Sequence, residues 1–246
     1  MSPDEYSNLE KVEKQHWYYA GKREIVRYWL GRTCPRQPRL RLLDCGAGTG
    51  AFATEMQAKT EVVAMDDHQE ALLVLRKRLT PGSVVQGSCT AIPFEDNCFD
   101  ALTALDVLEH IPSHHQAAQE MVRVVKPGGL ILVTVPALRC LWSDWDVSLH
   151  HQRRYSKPEL LDLFHDLPVT VDHCAYINVL AMPLVWLARK CRSLGMGGRS
   201  RAEDHLPPRP VNWLLRQAFV RLATTRIQIP FGVGLILVAR KHEAHG

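Results

Sequence analysis

Between Leu42 and Gly50 an apolar pair, Leu42-Leu43, ends in Asp44 and then meets three glycines at alternate positions, Gly46, Gly48 and Gly50. A helical pattern follows at once. This reads as a strand, a tight turn and a helix start, because glycine permits the unusual backbone angles and the close ligand approach such a turn needs. The spacing narrows the ligand. A dinucleotide-binding turn reads G-x-G-x-x-G and seats an anionic pyrophosphate on the helix N-terminus. Here the order is G-x-G-x-G, with a carboxylate two residues before the first glycine. An acid in that place repels a pyrophosphate and suits a cationic or zwitterionic ligand.

Around this turn, strands alternate with helical patterns. Strands are predicted at Leu40–Asp44, Glu61–Met65, Ser83–Gln86, Phe99–Leu105 and Leu130–Val135, with helices at Thr49–Ala58, Gln69–Leu79 and Ser113–Val125. Such alternation implies an α/β fold, a parallel sheet covered on both faces. Two later strands, Val169–Ala175 and Gly234–Ala239, complete seven. A helix over Pro158–His165 is predicted to be capped by Ser156, with Glu159 completing a capping box. A helix over Leu9–Leu30 precedes the sheet, and Cys34-Pro35-Arg36-Gln37-Pro38 ends it. The reading is a helical cap, 1–38, and an α/β domain, 39–246, with a helical insertion at 178–228 before the last strand. Two apolar segments of the insertion, Val179–Cys191 and Val211–Thr224, flank a polar loop, Gly195–Pro210.

Charge is uneven. From Trp186 to Arg226 there are nine basic residues against Glu203 and Asp204, within a chain whose net charge is +4. Such a local excess points to an anionic neighbour. A peripheral membrane contact through 178–226 is one use of it. Nucleic acid is disfavoured, because aromatics are not interleaved with the cations as a stacking platform requires. Seven cysteines without a C-x-x-C pair argue against structural zinc and against a disulfide framework, and for reduced thiols in a cytoplasmic protein. The start is polar and acidic, so no signal peptide is expected. The longest apolar run, Val179 to Ala188, is too short to span a bilayer and contains Pro183.

Four more motifs follow the turn in order. Val62-Val63-Ala64-Met65-Asp66 is an apolar strand ending in an acid, which can accept both ribose hydroxyls of a nucleoside. Then come Gly87-Ser88-Cys89-Thr90-Ala91-Ile92-Pro93-Phe94 with Phe99-Asp100, Asp106-Val107-Leu108-Glu109-His110-Ile111, and a turn at Lys126-Pro127-Gly128-Gly129. Together, over about residues 40–136, they resemble the class I S-adenosylmethionine (SAM)-dependent methyltransferases of the small-molecule branch. The resemblance implies a Rossmann-like, seven-stranded, mostly parallel sheet with one antiparallel strand. It implies SAM as cofactor, with Asp44, Gly46, Gly48 and Gly50 at its amino-acid end, Asp66 at the ribose, and Ser88 and Cys89 at the adenine edge. Ser88 departs from the family's usual Asp and supplies a hydroxyl without charge.

The flanks resemble one bacterial methyltransferase subgroup. They are Glu13-Lys14-Gln15-His16-Trp17-Tyr18-Tyr19-Ala20-Gly21-Lys22-Arg23, Ser143-Asp144-Trp145-Asp146, His151-Gln152-Arg153-Arg154-Tyr155 and Ile229-Pro230-Phe231-Gly232. That subgroup is associated with glycan and polyprenyl-lipid pathways. The expected reaction is therefore O-methylation of a small-molecule, lipid-linked or glycan-linked acceptor. His110 and His151 are the candidate bases, since an imidazole titrates near working pH. Trp17 is expected to face the sulfonium and Arg23 the methionine carboxylate. Arg153, Arg154 and Tyr155 are expected to hold an anionic substrate or lock the loop, with one arginine on a carboxylate of the fold. The site is read as metal-free. The alternative is Mg²⁺ on Asp106, Glu109, His110 and His151, a set that resembles the metal site of some O-methyltransferases acting on vicinal hydroxyls. Two other functions stay open: a SAM-binding protein without turnover, acting through its insertion, and an NAD-linked oxidoreductase.

Overall fold

The computed structural model of the chain describes residues 12–33, 40–193, 206–225 and 227–243. Its strands are β1 (Arg41–Cys45), β2 (Glu61–Asp66), β3 (Val84–Gln86), β4 (Phe99–Leu105), β5 (Val125–Pro136), β6 (Val169–Ile177) and β7 (Gly234–Lys241). They form one sheet in the order β3-β2-β1-β4-β5-β7-β6. The pairs from β3 to β5 are parallel, and β7 runs antiparallel between β5 and β6. Strand order reverses between β1 and β4, and ligands of open α/β sheets bind outside the strand ends at such a point. The turns after β1, β2, β4 and β5 all lie on that edge.

The central strands are apolar on both faces because helices cover both. Successive side chains alternate between two cores. Leu43, Leu102, Ile131 and Val133 meet α4 (His114–Val124) and α6 (Lys157–Asp162) through Met121, Val122 and Leu160. Leu42, Ala101, Leu130 and Leu132 meet α1 (Trp17–Thr33), α2 (Ala51–Met56) and α3 (Gln69–Arg78) through Val26, Phe52 and Leu72. The helices α7 (Met182–Ser193) and α8 (Arg209–Thr224) occupy the insertion, with the short α5 (Asp144–Ser148) before them. Phe219 and Ala223 of α8 join the second core.

Three local expectations change. The helix α1 begins at Trp17; of the expected stretch from Leu9, residues 9–11 lie outside the described residues, Val12 is helical, and a turn at Glu13–Gln15 separates it from α1. The Trp17 N–H donates to Asn212 Oδ1 of α8 (2.8 Å), so a tertiary partner caps this helix. Second, Lys126–Gly129 lies within β5 rather than in a turn. Gly128 has φ 73°, and the register with β4 shifts between Phe99 and Ala101, so the strand absorbs the glycines as a bulge. Third, α6 ends at Asp162, although its Ser156–Glu159 capping box forms as expected. Of the expected loop Gly195–Pro210, residues 195–205 lie outside the described residues.

Candidate active site

The glycine turn is left-handed at each glycine, with φ 65° at Gly46, 56° at Gly48 and 74° at Gly50. A Cβ at Gly46 would sit 2.6 Å from Val107 Cγ2, and one at Gly50 would sit 2.5 Å from Leu75 Cδ2, while Gly48 faces open space. The N–H groups of Gly46 and Ala47 donate to the Met65 carbonyl (2.8 and 3.0 Å). Gly48 N–H and His68 N–H donate to the two oxygens of buried Asp66 (2.9 and 3.0 Å). A carboxylate offers about four lone-pair sites, so Asp66 keeps acceptor capacity for hydroxyls. Asp44, behind the turn, accepts from Thr103 Oγ1 (2.8 Å). Burial raises its carboxyl to about 7 despite that hydrogen bond. From the N-terminal side, buried Glu13 accepts from the Thr49 hydroxyl and from Arg78 (2.8 Å), and Arg78 also donates to the Thr49 carbonyl (2.7 Å). After β3, Ser88 Oγ lies 2.9 Å from Thr90 Oγ1. The Cys89 thiol is buried against Cys45; that contact, with burial, pushes the Cys45 thiol well up.

The end of β4 supplies a second cluster. Asp106 has φ 57°, an uncommon angle for a non-glycine residue and one that concentrates at functional sites. Its N–H donates to the Thr134 carbonyl (2.9 Å), and its carboxylate accepts from Thr134 Oγ1 (3.1 Å) and pairs with Lys22 of α1. Burial opposes charge on Asp106, but the Lys22 ammonium wins and holds the carboxyl below its ordinary range. Lys22 also lies 4.5 Å from the Tyr18 ring centroid.

Three residues on, Glu109 is fully buried and neither of its oxygens meets a donor from another residue. Burial, with Asp106 nearby, pushes its carboxyl well up. The ring of His110 lies 4.8 Å from that of His151, at 76°. Partial desolvation and His151 bring His110 down to about 4. His151 is fixed from behind: its Nδ1 lies 2.9 Å from Asp146 Oδ1. Asp146 is fully buried and also accepts from Arg154 Nε (2.7 Å) and Ser143 N–H (2.9 Å). Burial would raise the Asp146 carboxyl, but the His151 and Arg154 contacts hold it at about 2. With Nδ1 on Asp146, Nε2 is the His151 atom left for chemistry. Glu109, His110 and His151 each offer a ligand atom within 4.8 Å of the others.

Not every expected residue reaches these clusters. Arg154 is the arginine on an internal carboxylate; its NH1 also donates to the Ala137 carbonyl (3.0 Å). Tyr155 is in the core, its hydroxyl donating to the Leu108 carbonyl (3.2 Å) and lying 2.8 Å from His114 Nδ1. Both side chains serve the fold rather than an open site. Arg153 donates to the Pro112 carbonyl (3.1 Å). Arg23 is buried and donates to Glu55 of α2 (2.7 Å). Trp17 packs edge-on against Phe219 of α8 (5.7 Å). Asp106 of the four-residue metal set is engaged by Lys22 instead. Lys22 and Asp146 had no role in the sequence reading. Lys22 is 84 residues from Asp106 along the chain, and no spacing links them.

Residues 43–133 match the family model described as "Methyltransferase domain". A demethylmenaquinone methyltransferase of Renibacterium salmoninarum is 39% identical over 97 residues, covering 39% of this chain and 41% of that protein. The chain spans less than half the length of the curated relatives it matches. The fold is similar to that in a complex of the Haloferax volcanii Trm112 methyltransferase activator with a methyltransferase. The TM-score is 0.62 at 17% identity, over 99% of this chain and 95% of that one. It is also similar to a SAM-dependent methyltransferase of Thermotoga maritima, with TM-score 0.61 at 16% identity over 97% and 95%. The glycine cradle and the spare acceptor sites of Asp66 fit a nucleoside with a zwitterionic end. Residues 43–133 are thus a methyltransferase domain, and the sheet that carries them has the class I SAM-dependent methyltransferase fold.

Proposed function

We propose that this chain transfers the methyl group of SAM to an oxygen of a small-molecule, lipid-linked or glycan-linked acceptor, with His151 removing the proton and His110 beside it. One observation carries the reading. His151 is held by a buried carboxylate at Nδ1, so its Nε2 is oriented, and it faces His110 on the sheet edge that carries the glycine turn. SAM supplies, when bound, a methyl carbon activated by a sulfonium. The backbone of Gly46–Gly50 would hold its amino-acid end, Asp66 the ribose hydroxyls, and Ser88 and Cys89 the adenine edge. Asp146 keeps the His151 tautomer and stabilises the imidazolium that proton removal creates.

The test starts with calorimetric titration of SAM and S-adenosylhomocysteine. Micromolar binding of both is expected, and no binding of either overturns the reading. Some of the relatives are named for demethylmenaquinone; its reduced quinol form, which offers ring hydroxyls, is the first acceptor to assay, and a product methylated on ring carbon overturns the oxygen part of the reading. With a turned-over acceptor, His151→Asn should cost roughly 10²- to 10⁴-fold in rate with SAM affinity unchanged. Unchanged turnover removes His151 from catalysis.

Glu109 favours a second reading. A buried carboxylate with neither oxygen on another residue's donor, beside two imidazoles, is a donor set for a divalent cation that would lower the pKa of a bound hydroxyl. One carboxylate with two imidazoles suits zinc, iron or manganese better than Mg²⁺. Dialysis against a chelator, then metal analysis and assay, separates the two readings. Full turnover by metal-free protein leaves His151 as the base.

A further inference from the structure

The insertion carries surface chemistry that the methyl-transfer residues do not use. Along α7, α8 and their flanks, Leu180, Leu184, Trp186, Trp213, Leu214 and Ile227 face solvent; Leu184 is 72% exposed, Ile227 67% and Trp213 63%. Large apolar side chains exposed in such number on two neighbouring segments mark a surface that meets another apolar surface. Beneath it lies an apolar pocket of about 180 Å³, floored by Ile177, Val179, Phe219 and Ala223. That exceeds the roughly 150 Å³ apolar cavity that stays dry and takes up benzene. Leu180, Leu184 and Ile227 belong both to the pocket lining and to the exposed patch, so the pocket opens onto the patch.

Charge decides what covers this face. Residues 179–193 and 206–225 contain no acid; Arg189 turns inward to Asp146 (3.7 Å) and Arg216 pairs with Glu24, while Lys190, Arg209 and Arg221 are exposed. A two-fold dimer would set this cationic face against itself. An anionic bilayer is complementary to it, and exposed tryptophans on basic amphipathic helices suit the bilayer interface. The pocket is also tied to the reaction site. Trp17 lines it, and Lys22, five residues along the same helix or about 7.5 Å, holds Asp106.

We propose that the α7–α8 face docks on an anionic membrane surface and that the pocket beneath it receives the hydrocarbon chain of an amphiphilic acceptor. The acceptor half rests on the methyl-transfer reading above. A chain would pass from bilayer to pocket without crossing water, leaving its polar head toward His110 and His151.

The first experiment is co-sedimentation of the full chain with phosphatidylcholine vesicles, with and without phosphatidylglycerol. Pelleting with the anionic vesicles, weakened by salt, is expected. L184E/W213E should reduce it by roughly tenfold or more while calorimetric SAM affinity stays constant. Wild-type protein that remains in the supernatant overturns the docking half, as does a wild-type dimer that L184E/W213E merely dissociates. For the pocket, geranylgeraniol and palmitate are titrated against tryptophan fluorescence, which distinguishes an isoprenoid from an acyl chain. Ala181→Phe, which fills the lining, should weaken whichever binds, at constant circular dichroism. Binding of neither probe, or binding indifferent to Ala181→Phe, overturns the pocket half. Vesicle binding without SAM binding would sink the methyl-transfer reading alone.

Discussion

The glycine turn after β1 and the α7–α8 face make opposite use of their surroundings. At the turn, the N–H groups of Gly46, Ala47 and Gly48 all find acceptors, and Glu13 and Arg78 close it from outside. On α7 and α8, large apolar side chains point away from the molecule with cations between them. A region whose backbone donors are tied internally holds one geometry. A region whose apolar groups are unpaired holds a place for another surface. In the proposed reading the first sets where the cofactor lies, and the second selects what comes to it.

Substitution should break this contrast where it is sharpest. Gly50→Ala combines a left-handed angle with a Cβ 2.5 Å from Leu75 Cδ2, so it should lose about 2–4 kcal/mol in urea unfolding. Gly48→Ala meets open space and should lose only about 1 kcal/mol, from the angle alone. Equal losses would show that packing does not fix the turn. Asp66→Ala should weaken SAM binding by roughly 10- to 100-fold, the worth of charge-assisted hydrogen bonds, in calorimetry on folded protein. Unchanged affinity removes Asp66 from the cofactor site.

Asp44 gives a pH prediction. Its carboxyl binds a proton at about 7 in the fold against 3.8 when free, so the folded state holds the extra proton between those values. Stability from this group is therefore greatest at the acid end and falls as pH rises toward 7. Asp44→Asn should flatten that part of the melting-temperature profile, and an unaltered slope would assign the dependence elsewhere. The smallest effect belongs to the insertion. Trp213→Glu should change stability by less than about 0.5 kcal/mol, as for an exposed surface site. A larger loss would mean that α8 needs its outer face for folding.

The sheet was largely legible in the chain. Short apolar runs alternating with helical patterns located the strands, since a strand buried on both faces reads as a continuous apolar run. The glycine turn was legible for the same reason, as its angles are a demand on Gly46, Gly48 and Gly50 themselves. The start of α1 was not, because its cap is Asn212, from the far end of the chain. Arg154 and Tyr155 stand beside His151 in sequence yet turn into the core, because the loop after β5 folds around Asp146.

What the sequence determined by itself is the order of strands and helices along the chain, the left-handed turn and the acids near the ends of β1 and β2, all written in residues close together along the chain. What only the tertiary structure decided is which distant groups meet. Lys22 reaches Asp106, Asp146 fixes His151, Glu109 is left without a donor from another residue, and α7 and α8 open an apolar pocket at the end of β6. These depend on how separate elements pack, and pairings across such separations leave no period or spacing in the chain to read.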